Sequence, residues 1–171
     1  MSSVKAVQPR SVDGLYRVGH ARPHHSITLS RLFRRALQND FAYYSDDFLA
    51  ATRSQNTPAR LALASLRSDR LLLGLWTGRD LVGYLIGATR PGSDCGDIFW
   101  LFVEPEHRGH GLGADLLAAA IRWLQDKNLR SVELVTYDHA SFYEKQGFST
   151  ERLAEGFIGG QDVYIMRMSL V

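Results

Sequence analysis

The chain of 171 residues is 45% hydrophobic and 22% charged, carries a formal net charge of +2 and has one cysteine. These values exclude a mainly disordered chain, an internal disulfide and a thiolate metal cluster, and give no global reason to expect nucleic acid as a partner. The length fits a single domain over residues 1–171, no run nears the ~18 apolar residues of a membrane span, and the start "MSSVKAVQPRSVDG" lacks the apolar centre of a signal peptide, so the reading is a cytoplasmic protein without a membrane partner.

Residues 1–12 are polar and aperiodic, which predicts a loose N-terminus. "GLYRVGHARP" holds a short strand ended by Pro23. In "ITLSRLFRRALQND", Ile27, Leu29 or Ser30, Leu32, Phe33, Ala36 and Leu37 form one stripe, which predicts a helix. "DDFLAATRSQN" and "TPARLALASLRSD" are further helical pieces, the second with Pro58 in its first turn, where a proline is tolerated. "LLLGLWT", "GRD" and "LVGYLIGAT" read as a hairpin with a three-residue connection. The strand "DIFWLFV" follows, then a glycine-rich turn and the helix "GADLLAAAIRWLQDKN", with Leu116, Leu117, Ala120, Ile121 and Leu124 on its buried face. "SVELVTY" is a strand, "HASFYEKQG" a short helix closed by Gly147, and "VYIMRMSL" a last strand. The order predicts an α+β (mixed α/β) fold in which one right-handed βαβ crossover is embedded in a mostly antiparallel sheet.

Three alternating glycines, Gly109, Gly111 and Gly113, lie between a strand and a helix start, the outline of a phosphate cradle. A P-loop is excluded, because no Lys followed by Ser or Thr comes after the glycines. Gly109, Gly111 and Ala114 satisfy the dinucleotide pattern G-x-G-x-x-A, with Glu133 at roughly the distance of a ribose ligand. Against that reading, "EPEHR" separates Val103 from Gly109, antiparallel strands precede the turn, and Glu133 falls inside its strand. The third design is R-x-x-G-x-G, formed by Arg108, Gly111 and Gly113 after "VEP". It presents the backbone N–H groups of Arg108, Gly109, His110, Gly111, Leu112, Gly113 and Ala114 at a helix start, where unpaired donors and the positive dipole end suit a pyrophosphate.

This R-x-x-G-x-G turn resembles the acetyl-CoA signature of the GNAT N-acetyltransferase superfamily, and "FYEKQGF", Phe142 to Phe148, resembles a second segment of the same family. The resemblance covers about residues 71 to 148. It implies the GNAT fold, a sheet of six to seven strands with a central splayed parallel pair and flanking helices. It also implies acetyl-CoA as the donor, no metal, and transfer of acetyl to a primary amine, whether a small amine, an amino acid or polyamine, or a peptide. By the same resemblance the pantetheine arm lies in the splay against Leu101, Phe102 and Val103, and Tyr143 is the general acid near the thioester sulfur. Aligned on Tyr143, Thr136 stands where many members carry an asparagine on the cofactor arm, and His139 where they carry alanine.

Asp97 and Glu133 are the candidate bases, being carboxylates on the strands leading to the site. On strict alternation Asp97, Phe99, Leu101 and Val103 share a face, as do Glu133, Val135 and Tyr137; Glu104 and Glu106 are read as solvated. Tyr43 and Tyr44, in "FAYYSDDF", with Tyr84 and Phe99 are the candidate acceptor-binding residues. The cluster His20, His24 and His25 is interrupted by Pro23 and has no carboxylate or cysteine beside it, so it is read as a lip of the acceptor site rather than a metal site. Cys95 is read as an incidental thiol in a turn, and the last strand as a candidate contact between two copies of the chain. Two alternatives stay open on the residues alone: a CoA-binding regulatory module without catalysis, and a Rossmann-type NAD-binding oxidoreductase.

Overall fold

The computed structural model describes residues 10–12 and 14–171. Among the described residues eight strands form one sheet in the order β1-β2-β3-β4-β5-β6-β8-β7. They are β1 (Arg10–Val12), β2 (Tyr16–His20), β3 (Arg70–Thr77), β4 (Asp80–Thr89), β5 (Cys95–Val103), β6 (Ser131–Thr136), β7 (Ser149–Ile158) and β8 (Gln161–Ser169). Five helices accompany them: α1 (Ser26–Asn39), α2 (Asp46–Gln55), α3 (Pro58–Ala64), α4 (Leu112–Asp126) and α5 (Ala140–Lys145). Every neighbouring pair is antiparallel except β5 and β6, which α4 connects. The fold class is the expected one. The extra strand comes from the N-terminus: Arg10–Val12 pairs with Tyr16–Val18 instead of being loose, and the rest of the expected loose segment lies outside the described residues.

Helix periodicity translates directly into the two larger buried clusters, one on each face of the sheet, beside a smaller one of Ala154, Val163 and Ile165. On one face α4 buries Leu116, Leu117, Ala120, Trp123 and Leu124 against Leu73, Leu85 and Val132, with Ile121 at its margin. On the other face α1 buries Leu29, Phe33, Ala36 and Leu37 against Leu72, Tyr84 and Phe102. Ile27 departs from the expected stripe and is 54% exposed, because the buried arc of α1 starts at Ser26 and continues at Leu29 and Ser30. Thr57 accepts a hydrogen bond from the Arg60 N–H at the start of α3, where Pro58 fills the first turn. The β3–β4 connection is tighter than expected: Thr77 pairs with Asp80, leaving Gly78 and Arg79 as the turn. Cys95 is the first residue of β5 and is buried, not in a turn.

The feature that positions the site is a short parallel contact. β5 and β6 pair only from Cys95↔Ser131 to Ile98↔Leu134. Beyond it β5 stays on β4 as far as Gly83↔Val103, while β6, paired with β8 from Ser131 to Thr136, no longer pairs with β5, so the strands fork. At the fork Ile86 pairs with Trp100 and Gly87 with Ile98, which makes Phe99 the extra residue of a β-bulge. That extra residue shifts the alternation. Leu101 and Val103 join the α4 face, whereas Trp100 and Phe102 join the α1 face. The expected grouping of Asp97 and Phe99 with Leu101 and Val103 is thus broken by the bulge. Among the described residues no helix is long and apolar enough to cross a membrane.

Candidate functional site

The glycine turn after β5 begins with a single 3-10 turn, Pro105–His107, and reaches α4 through Gly109 and Gly111 at φ of 83° and 74°. Both dihedrals lie in the left-handed region, where an L side chain costs about 1–2 kcal/mol. No atom stands within 4 Å of where a Cβ would be on either residue. Among the described residues no group accepts a hydrogen bond from the backbone N–H groups of Gly109 to Ala114, and the first bond into α4 runs from Asp115 N–H to the Gly111 carbonyl. Six free donors at a helix start form a nest suited to an anion such as a phosphate. Gly113 has ordinary φ, and a Cβ there would rest 3.5 Å from the Phe142 ring, so its smallness serves the approach of α4 to α5.

Arg108 does not join this nest. Its Nε donates to the Val103 carbonyl at 2.8 Å and its Nη2 to Asp40 Oδ1 at 2.6 Å, with the guanidinium 5.6 Å from the Phe102 ring centroid. Its own backbone N–H donates to Pro105 O at 3.2 Å. The expectation that Arg108 is a phosphate ligand is therefore corrected: the side chain points across the turn to the end of α1. Glu104 also departs from its solvated reading, being mostly buried and ion-paired to Arg35 of α1.

Along the fork, Phe99 to Val103 have no strand partner on the β6 side, which leaves backbone groups for an extended ligand. Val103 is an exception among them, since its carbonyl is taken by Arg108. Phe102 contributes backbone only, because its ring is buried in the α1 core. Opposite, Thr136 is buried and its Oγ1 accepts from His139 N–H at 3.2 Å, so the hydroxyl proton is left to donate. His139 is exposed and sits 3.2 Å from Asp138.

Tyr143 of α5 is 9% exposed, packed edge-on against Phe142 and Phe148. Burial pushes its phenol above the ordinary value, with Tyr44 adding to the shift. Burial does the same to Tyr43, helped by Tyr44 and Asp138, and to Tyr84, helped by Asp40. Above about pH 10 an unfolded chain releases these protons while the fold retains them. Their stabilisation is therefore complete below that pH and is lost as the pH rises through the raised values. Thermal melts between about pH 9 and pH 11 are expected to show a falling Tm above about pH 10.

Tyr43 and Tyr44 lie in the loop between α1 and α2. Tyr43 stacks on Tyr137 at 4.4 Å, and the loop is tied to the β7–β8 turn by Gln161 Nε2 to Tyr43 O at 2.7 Å and by Ser45 N–H to Gly159 O at 3.0 Å. Half-buried Trp100 joins this aromatic group through Phe41, and Phe99, the bulge residue before it, is 48% exposed. Tyr84 is enclosed: it is 0% exposed, between Phe33 and Phe102, with its hydroxyl unpartnered, so it cannot line an open acceptor wall. Trp100 and Tyr137 were not singled out in the sequence; the only signal for them was their place in strands beside Phe99 and Thr136.

Asp97 and Glu133 face each other across the last rungs before the fork. Arg90 joins them, with Nη2 2.5 Å from Asp97 Oδ1 and 2.7 Å from Glu133 Oε2; Arg167 Nη1 lies 3.4 Å from the other Glu133 oxygen. Hydrogen bonds to Asp97 and then Glu133 raise the Arg90 pKa, so the guanidinium stays charged. Each carboxylate keeps oxygen lone pairs for a further donor. The histidine cluster is elsewhere. His24 and His25 stand at the N-terminal end of α1, His25 5.2 Å from Trp76, whereas Tyr43 and Tyr44 follow its C-terminal end, about 20 Å along the helix. They form no lip to the aromatic loop. Among the described residues no group of three or more His, Cys, Asp and Glu could hold a metal ion.

Comparison with known proteins points the same way. The profile of the Acetyltransferase (GNAT) family matches residues 32–148. An "Uncharacterized N-acetyltransferase ycf52-like" protein of Prochlorococcus marinus is 31% identical over 98 residues, 55% of this chain and 54% of its own length. A mycothiol acetyltransferase of an Arthrobacter species is 31% identical over 103 residues, 56% of this chain and 32% of its own length. The aligned part thus spans about half the length of the first relative and about a third of the second. Among solved structures, the PaiA N-acetyltransferase of Thermoplasma acidophilum in complex with coenzyme A superposes with a TM-score of 0.75 at 21% identity, covering 90% of this chain and 98% of its own.

Proposed function

The chain belongs to the acetyltransferase (GNAT) family, and from that premise we propose that it is a single-domain cytoplasmic enzyme moving acetyl from acetyl-CoA directly to a primary amine. The observation that carries this reading is the nest of N–H groups from Gly109 to Ala114, without acceptors among the described residues, in the turn that directly follows the β5 edge left free by β6. A pyrophosphate on the nest would leave its amide-bearing arm to run along that edge. The coenzyme A held by the PaiA protein of like fold supports the same donor.

Bound there, acetyl-CoA supplies the activated acyl group. The chain's own residues do the rest. The nest holds the pyrophosphate, the backbone of Phe99 to Phe102 pairs with the pantetheine amides, and Thr136 donates its free hydroxyl proton to the arm. Tyr143 keeps a proton for the departing sulfur. Burial raises the pKa of that phenol, so it keeps its proton across the neutral range. The acceptor enters from the opposite face, past Tyr43 and Phe99, while Tyr44, expected to line that wall, is buried in the α1 core. Asp97 and Glu133, next to the fork on that face, take the proton that the amine must shed before attack. Aromatic walls beside paired carboxylates suit a cationic amine.

Release of free thiol from acetyl-CoA in the presence of pooled polyamines, amino acids and peptides tests this reading. Turnover with at least one class is expected, and tight acetyl-CoA binding without turnover on any of them would replace the enzyme with a CoA-binding module. Asp97→Asn and Glu133→Gln are each expected to lower kcat/KM by about 100-fold, at the low end for a proton acceptor, while the Kd for acetyl-CoA stays unchanged. Steady-state kinetics beside calorimetric binding separates the two effects.

A further inference from the structure

The turn that begins the donor nest is fastened to the helix that ends in the aromatic loop. Two ion pairs make the connection. Arg35 of α1 holds Glu104, and one helical turn further on Asp40 holds Arg108. Beside them lies a cavity of about 300 Å³ whose lining includes Arg35, Asp40, Glu104, Glu106, Phe102 and His107. Asp40 is the last residue of the α1 turn, its N–H bonded to the Ala36 carbonyl at 2.8 Å. The chain then passes into Phe41, whose ring lies 5.1 Å from Trp100 and 6.2 Å from Tyr43. Arg108 is committed on two sides at once, through Nε to the end of β5 and through Nη2 to Asp40. A planar guanidinium fixed at two nitrogens transmits a displacement that a flexible ammonium would absorb.

Resting on the acetyl-CoA reading above, we propose that Arg108 and Asp40 are positioning residues that couple the donor nest to the acceptor loop, so that acetyl-CoA seated on Gly109–Ala114 orders residues 40–45. Ligand contacts on the nest restrict the turn that carries Arg108. Arg108 then holds Asp40, and Asp40 sets where Phe41, Tyr43 and Tyr44 begin. The acceptor wall is completed only once the donor is in place, and by linkage an acceptor on that wall tightens the donor by the same factor. The arginine of the R-x-x-G-x-G turn thereby serves the acceptor half of the site.

Hydrogen exchange read by mass spectrometry on the full chain, with and without saturating acetyl-CoA, tests the coupling. In the wild type, acetyl-CoA is expected to slow exchange at least several-fold in peptides covering 108–114 and also in those covering 40–45. Asp40→Asn, which keeps shape and removes the charge, is expected to bind acetyl-CoA within about threefold of wild type and to keep the protection at 108–114. Its acetyl-CoA-dependent protection at 40–45 is lost, and Asp40→Glu restores it. A residue that served folding alone would alter exchange in the free protein without removing the ligand-dependent difference. Protection of 108–114 without any change at 40–45 in the wild type overturns the coupling and leaves the acetyl-CoA reading intact, as does Asp40→Asn retaining the protection at 40–45. No protection at 108–114 overturns both.

Discussion

Gly111→Val is expected to weaken acetyl-CoA binding by about 100-fold while the sheet and both cores remain folded. Gly111 is the N-cap of α4 at φ 74°, and a β-branched residue held there costs about 1–3 kcal/mol. Relaxing that strain turns the neighbouring N–H groups out of the nest, and each hydrogen bond to a charged phosphate is worth about 1.5–3 kcal/mol. Every 1.4 kcal/mol lost is tenfold in Kd. The residue is exposed with open space around its Cβ position, so no core contact is disturbed. Titration calorimetry with acetyl-CoA reads the affinity, and an unchanged far-ultraviolet dichroism spectrum checks the fold. Gly113→Ala is the internal control, since φ is ordinary there and its methyl group would only touch the Phe142 ring.

The second large effect is on turnover. Tyr143→Phe removes one oxygen from a residue 9% exposed and leaves the ring contacts with Phe142 and Phe148 in place. A positioned acid is worth about 10²–10⁴ in rate, so kcat is expected to fall at least about 100-fold with little change in the Kd for acetyl-CoA. Because burial holds the phenol above its ordinary value, the wild-type rate has no loss of this acid to show below about pH 10, and the alkaline limb attributable to it lies above that pH. An unchanged kcat in Tyr143→Phe would make Tyr143 a packing residue of α5.

Most of the architecture was legible because burial follows periodicity. The stripe from Leu29 to Leu37 and the face from Leu116 to Leu124 gave α1 and α4 their orientation before any coordinates, and Gly147, at φ 97°, closes α5 where its position in "EKQG" required. The glycine turn was legible too, since left-handed backbone at Gly109 and Gly111 leaves few residue choices. The failures share a cause: each depends on something no local pattern carries. A bulge at Phe99 adds one residue to β5, so strict alternation placed Leu101 and Val103 on the face that Trp100 and Phe102 occupy. The partner of Arg108 is 68 residues away at the end of α1, and the motif by itself suggested a phosphate. Tyr84 reads like any strand tyrosine, but Phe33 of α1 covers it. Arg90 carried no signal in sequence, although it binds both candidate bases.

These corrections sharpen the division of labour. The donor side is built from backbone, which is why the glycine spacing reveals it. The acceptor side, on the proposed reading, draws on side chains of the α1–α2 loop, β5 and β6 brought together only by folding, with Tyr43, Phe99, Asp97 and Glu133 as its proposed surface. The last strand, expected as a contact between two copies of the chain, is β8, which is paired on both sides by β6 and β7; among the described residues the free edge at that end of the sheet belongs to β7, where Leu153 and Phe157 are exposed.

The central claim is that the nest from Gly109 to Ala114 binds acetyl-CoA. Thermal unfolding of the wild-type chain with acetyl-CoA at about 100 times its Kd, beside NAD at the same concentration, tests it most directly. Binding to the folded state alone gives about 2.7 kcal/mol at that ratio, which for a chain of this length raises Tm by about 5–10 °C. The account predicts that rise with acetyl-CoA and none with NAD; no shift with acetyl-CoA at saturating concentration, or a shift with NAD in its place, would contradict it.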